Sequence, residues 1–282
     1  QLTVRGAFTN SGTLQGAGAV VVGADSVTNS GTLIAGTDLA VSTAADFTNS
    51  GTAQATGTLG VASGGDVSNT SAGVLKAARL NLDAGKDLVN AGVATADSGN
   101  ATLRVDGTLA NSGELHALGN MDIAARNGAA TQAVINSGKL LAGNTLALRA
   151  ASIDNSATGW VQAATASTVN AGTLNNSGAW LLSQQATAKD TVTVTGALVN
   201  AGTMHSRGDA TLAADSVDNQ GALLADGAIA VATLSDFSNG VNATTQAGNT
   251  LSVSAGGKLD NAATAVMRGA AVALKAAQGL SN

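Results

Sequence analysis

Fourteen asparagines recur in one register along this chain: Asn10, Asn29, Asn49, Asn69, Asn90, Asn111, Asn136, Asn155, Asn176, Asn200, Asn219, Asn239, Asn261 and Asn282. Each has an apolar residue two places before it, from Phe8, Val27 and Phe47 through to Leu259 and Leu280. Successive asparagines are 19 to 25 residues apart, and 282 − 10 = 272 residues over 13 intervals average about 21. Self-similarity at this period marks a solenoid or array, in which each unit buries its apolar face only against its neighbours. One irregular core would not hold such a column in place.

What each unit builds follows from parity. Glycine often stands two places after the asparagine (Gly12, Gly31, Gly51, Gly113, Gly202) and an apolar residue four places after it (Leu14, Leu33, Leu115, Met204). Positions −2, 0, +2 and +4 therefore share one face of an extended segment. A second alternating segment precedes each asparagine, as in Leu39 and Val41, Leu80 and Leu82, Val192 and Val194. These are strands of period two. Glycines between the segments, such as Gly36, Gly57, Gly143, Gly208 and Gly248, are expected at corners of positive φ. Short strands, tight corners and stacking make an all-β fold, a parallel β-helix of about 13 to 14 coils. The asparagine column faces inward at a bend, where an amide can donate and accept along the stack, and it is read as a structural ladder.

Composition bounds the rest. Proline is absent, as expected where nearly every backbone N–H is needed by a neighbouring coil. Phe8, Phe47, Phe237, Trp180 and Trp160 are assigned to interior columns, which argues against an aromatic platform for sugars. Three coils lengthen the corner after the asparagine, at Asn69, Asn155 and Asn261, and two carry insertions, around Ala124 to Ala133 and Ser183 to Thr191. The formal charge of −5 disfavours nucleic acid and anionic lipid as partners. No apolar stretch approaches the ~18 residues of a membrane span. There is no cysteine, which removes disulfides and thiol chemistry. Residues 1–282 are expected to form a single repeat domain, an excised, uncapped segment of a longer fibre.

Repeats such as Phe8-Thr9-Asn10-Ser11-Gly12-Thr13-Leu14, Val27-Thr28-Asn29-Ser30-Gly31-Thr32-Leu33 and Val217-Asp218-Asn219-Gln220-Gly221-Ala222-Leu223 resemble the haemagglutinin repeats of filamentous haemagglutinin and related bacterial exoproteins of two-partner secretion. The resemblance covers the whole chain. It implies a right-handed β-helical fibre, exported through an outer-membrane β-barrel transporter and secreted or displayed at the bacterial surface. Family members act as adhesins or as stalks carrying a toxin tip. Neither the family's secretion domain nor a toxin-like module is evident in these residues.

Within that resemblance, Arg207-Gly208-Asp209 is similar to the tripeptide that integrins recognise, in which the carboxylate completes a metal site on the receptor. Seven arginines × 36/282 × 17/282 gives about 0.05 such tripeptides by chance. Equivalent corners read Ala35-Gly36-Thr37, Leu118-Gly119-Asn120 and Ala247-Gly248-Asn249, so two opposite charges flanking the glycine depart from the repeat. A carboxylate row, Asp25, Asp46, Asp66 and Asp87 with Asp215 and Asp236, offers stacked oxygens of the kind calcium takes. Aspartate is equally a turn former that bonds its own backbone, and no metal or cofactor is assigned. His116 and His205 share an outward column but lie four coils apart, too far for one catalytic site. Asp97, Arg104 and Asp106 come nearest to an enzyme's charged strand face. The chain is therefore read as a non-enzymatic adhesin shaft whose partner is a host-cell receptor, an integrin, with glycans left open. The alternatives are a passive stalk for a toxin and a polysaccharide-active β-helix.

Overall fold

The computed structural model describes residues 1–282 throughout, as strands and turns without a helix. No helix is therefore long and apolar enough to cross a membrane. The chain falls into two compact units, Gln1–Gly143 and Asn144–Asn282. Each is a right-handed parallel β-solenoid with coils of about 21 residues.

In the first unit a representative coil consists of Thr58–Ser63, Val67–Asn69 and Val74–Ala77. Strict alternation turns Leu59, Val61, Ser63, Val67, Asn69, Leu75 and Ala77 inward, and none is more than 1% exposed. Each coil meets the next in register, so Leu59 lies between Leu39 and Leu80, and Val67 between Phe47 and Leu88. Like side chains thus stack on like, and the narrow core is a bundle of apolar columns.

The segment around the asparagine does not run straight from −2 to +4. A strand such as Phe47–Asn49 stops at the asparagine, Ser50-Gly51 turn the chain, and Thr52–Ala55 begins a third side. Both N–H groups of that turn donate to the Asn29 carbonyl of the coil before, at 2.8 and 3.1 Å. The bend is therefore paid for by hydrogen bonds along the stack rather than within the turn.

Positive φ does not explain the glycines. Only Gly6, Gly128 and Gly279 adopt it, and none is among the corner glycines between the two segments. The reason is close approach: a Cβ on Gly31 would collide with the Gly12 carbonyl oxygen, and one on Gly36 with that of Ala17. Coils stacked at about 4.8 Å leave no room for a methyl where the turn's Cα points along the stack.

In the second unit Thr145–Asn155 and Ala166–Asn176 each run unbroken for 11 residues, and later coils return to the three-sided form, as in Asp209–Ala214, Ser216–Asn219 and Ala222–Ala225. Four corners, not three, are long. Besides those after Asn69, Asn155 and Asn261, the corner after Asn239 runs Gly240-Val241-Asn242-Ala243, with Asn242 at φ 62°. Each is closed by a turn bond such as Gly73 N–H to Thr70 O, 2.8 Å, and Ala243 N–H to Gly240 O, 3.0 Å.

These corners add two residues, which preserves parity. The inward position moves from +4 to +6, as at Leu75 and Val161. Trp160, at +5, is consequently outward and 45% exposed, a correction to its placement in the core. Phe47, Phe237 and Trp180 are buried, with the Trp180 indole N–H meeting no acceptor.

Inside both units runs the asparagine ladder. Nδ2 of Asn10, Asn29, Asn49, Asn69, Asn90 and Asn111 donates to Oδ1 of the next asparagine at 2.8 to 2.9 Å. The second unit repeats this from Asn155 through Asn176, Asn200, Asn219 and Asn239 to Asn261 at 2.8 Å. The same nitrogen reaches corner carbonyls on two coils, as from Asn90 to Gly92 O (3.3 Å) and Glu114 O (3.1 Å). One amide thereby satisfies backbone groups that burial would otherwise leave unpaired.

Two outcomes follow for stability. Asn111→Ala is expected to cost about 2–4 kcal/mol in denaturant unfolding, because it strands buried corner carbonyls and the Asn90 donor. A loss no larger than the ~0.5 kcal/mol of a surface change would show that the ladder is idle. Gly31→Ala is expected to cost about 1–3 kcal/mol through overpacking, whereas Gly12→Ala, with nothing near its Cβ, should be close to neutral.

Candidate functional site

Charged side chains are few, so the chemistry of each can be followed. Most carboxylates are engaged in holding coils together. Asp46 Oδ1 accepts the Asp66 N–H (2.9 Å), Asp66 Oδ1 accepts that of Asp87 (3.1 Å), and Asp87 Oδ1 accepts that of Thr108 (2.7 Å). In the second unit Asp236 Oδ1 takes the Lys258 N–H at 2.7 Å, and Asp215 Oδ1 the Ser235 hydroxyl at 3.0 Å. Asp25 begins the row, its own N–H bonded to Gly6 O at 2.8 Å. A carboxylate accepting a backbone N–H from the adjacent coil does for the surface corner what the asparagine does inside. No group of three His, Asp or Glu side chains is placed to share a metal ion.

The remaining titratable groups do not converge. Asp97 pairs with Lys76 at 3.5 Å, Arg104 with Asp122 at 2.5 Å, and Asp106 Oδ1 accepts the Arg126 N–H at 3.0 Å. His116, on Glu114–Ala117, is half-buried on the outer face of the first unit. His205, in the second, lies 3.0 Å from Asp226 Oδ1. A groove of about 350 Å³ over Thr193, Ala213, Ala232 and Leu234 is lined without a titratable side chain. The Asp236 carboxylate in a larger one, about 540 Å³, is the one bonded to Lys258 N–H.

The Arg207-Gly208-Asp209 corner has more structure than its sequence shows. Arg207 is exposed, Gly208 is buried, and Asp209 opens the strand Asp209–Ala214. A Cβ on Gly208 would strike Ala188 of the preceding coil. The Asp209 N–H donates to Ala188 O at 2.9 Å. Of its carboxylate oxygens, Oδ1 accepts the Ala228 N–H at 2.8 Å, and Oδ2 accepts Lys189 Nζ. The Ala228 N–H and then the lysine hold this carboxyl below the usual carboxylate range. A folded-state value depressed in this way contributes stability above the ordinary carboxylate value and loses it as pH falls through the folded one.

Behind the corner lies a buried polar cluster that sequence reasoning missed. Asp190, 2% exposed, accepts the Ser167 N–H (2.7 Å) and the Ser183 hydroxyl (2.5 Å). Ser183 Oγ lies 3.2 Å from Ser206 Oγ, which in turn accepts the Gly208 N–H at 3.1 Å. The signal was present, because Asp190 shares the inward parity of Val192 and Val194. Ser183 sits where the ladder to the next coil shifts by one residue, at the start of the insertion. That extra length brings Ala188, Lys189 and Asp190 under the corner.

Matches to the haemagglutinin-repeat model run over residues 1–51, 22–113, 77–137, 122–202, 185–263 and 235–282, and so cover the chain. The chain belongs to the haemagglutinin-repeat family. No curated protein matches it, and no solved structure does. Haemagglutinin repeats form adhesin-type shafts rather than enzymes, typical of secreted or surface proteins of two-partner secretion. In this haemagglutinin-repeat chain the asparagine, the glycine and the surface aspartate each serve one coil-to-coil contact.

The two uses of the aspartate row are separable. Asp87→Asn retains an acceptor oxygen and should leave the unfolding midpoint nearly unchanged, with no rise when calcium is added. Asp87→Ala should lower the midpoint by removing a bond of about 1 kcal/mol. A calcium-dependent midpoint lost in both variants would assign the row to metal binding.

Proposed function

We propose that this chain is a length of shaft from a bacterial adhesin of two-partner secretion, exported through an outer-membrane β-barrel transporter and attached to host cells at the Arg207-Gly208-Asp209 corner. The observation that carries the shaft reading is the haemagglutinin-repeat match along the whole chain. Its mechanism is mechanical: coils hydrogen-bonded in series hold what they carry at a fixed distance from the cell. The receptor reading is supported by the exposed guanidinium of Arg207 next to a carboxylate that keeps its charge to low pH. An integrin would take that pair as a cation and a metal-ligating oxygen on either side of a glycine. Scattered charge, one groove without titratable groups and another whose Asp236 carboxylate is bonded to a backbone N–H favour this over polysaccharide cleavage.

Attachment of cells to the immobilised 282-residue chain tests the reading. Arg207→Ala and Asp209→Glu are expected to lower attachment several-fold while both variants remain folded at the assay temperature, and soluble RGD peptide should compete. Attachment that ignores all three would overturn the corner as the site, and no attachment at all would leave the chain a passive stalk.

A further inference from the structure

Asp209 is not presented free. Lys189 is its register partner on the coil before, and the two are paired through Nζ and Oδ2. The other oxygen, Oδ1, accepts the Ala228 N–H of the coil after at 2.8 Å, and freeing it means turning the side chain off that bond. The oxygen left for a receptor's metal ion without breaking that coil-to-coil bond is Oδ2, the atom the lysine holds. The lysine side chain is 78% exposed, and that of Asp209 36%. The ammonium, a compact charge on a flexible four-carbon stem, can swing into solvent without disturbing the strand.

The pairing depends on the lengthened coil. Insertion after Ser183 leads the chain over exposed residues 184–187 and returns it at Ala188, whose carbonyl receives the Asp209 N–H. Asp190 then turns inward onto Ser167 and Ser183, and this anchors Lys189 outward beneath the corner. Adjacent residues of alternate parity thus have opposite tasks, one fixing the loop and the other facing Asp209.

We propose that Lys189 masks the Asp209 carboxylate, so that receptor attachment at this corner is set by how readily the lysine is displaced. The proposal rests on the receptor reading above. An exposed pair of this kind shifts an equilibrium by roughly two- to five-fold and is screened by salt. The mask is a modest brake, which the receptor's metal ion can overcome.

The test is the affinity of the 282-residue chain for a purified RGD-binding integrin ectodomain in magnesium. Lys189→Gln should bind roughly two- to five-fold more tightly than the parent, Lys189→Arg should stay near the parent, and added salt should narrow the gap. The gain should vanish on an Asp209→Glu background. If the parent binds through Asp209 and Lys189→Gln binds no tighter, the mask is wrong and the receptor reading stands. A gain that survives Asp209→Glu also overturns the mask. If neither parent nor Lys189→Gln binds, both readings fall, whereas a silent parent and a binding Lys189→Gln would support both.

Discussion

Everything in this protein depends on parallel hydrogen bonding between successive coils. A coil can lie about 4.8 Å from its neighbour only if its backbone amides are free to pair and nothing projects along the stack. The absence of proline follows from the first condition. The glycines at corners follow from the second, since Gly31 and Gly36 face carbonyls of the coil before at distances no methyl can share. At the bend after each asparagine, where strands stop, side-chain amides take over the pairing. That is why the asparagine recurs more faithfully than any apolar neighbour.

The same constraint explains why so little chemistry is found. A carboxylate on a solenoid surface has a backbone N–H of the next coil within reach, and Asp46, Asp66, Asp87 and Asp236 all use one. An oxygen committed in this way is a poor ligand and a poor base. Departures from the repeat are where side chains acquire other partners. Arg126, on one insertion, reaches back to Asp83 and the Ser63 carbonyl across several coils. The other insertion buries Asp190 among three serines and sets Lys189 against Asp209.

That arrangement gives the Arg207-Gly208-Asp209 corner a different character from a flexible loop. Its glycine is packed on Ala188, its aspartate N–H is part of the ladder, and one carboxylate oxygen is fixed. Such a corner is ordered in advance, which would lower the entropic cost of the recognition proposed for it. Its freedom lies in the exposed side chains of Arg207 and Lys189.

Spacing and alternation alone determined the fold class, the coil length, the inward asparagine column and the outward placement of the histidines, because stacked coils must repeat the same parity at the same interval. They did not determine why the corner glycines are there, since φ and close approach leave the same residue in the sequence. Trp160 was misplaced because it was grouped with the inward +4 column although it stands at +5, where the alternation points outward, and the long corner after Asn239 was hidden by a glycine at Gly240. Which residue stands over which across an insertion was likewise decided only in three dimensions. Lys189 meets Asp209, and Asp190 meets Ser183, because the loop between them closes on Ala188, and loop closure depends on hydrogen bonds to other coils that no local pattern encodes.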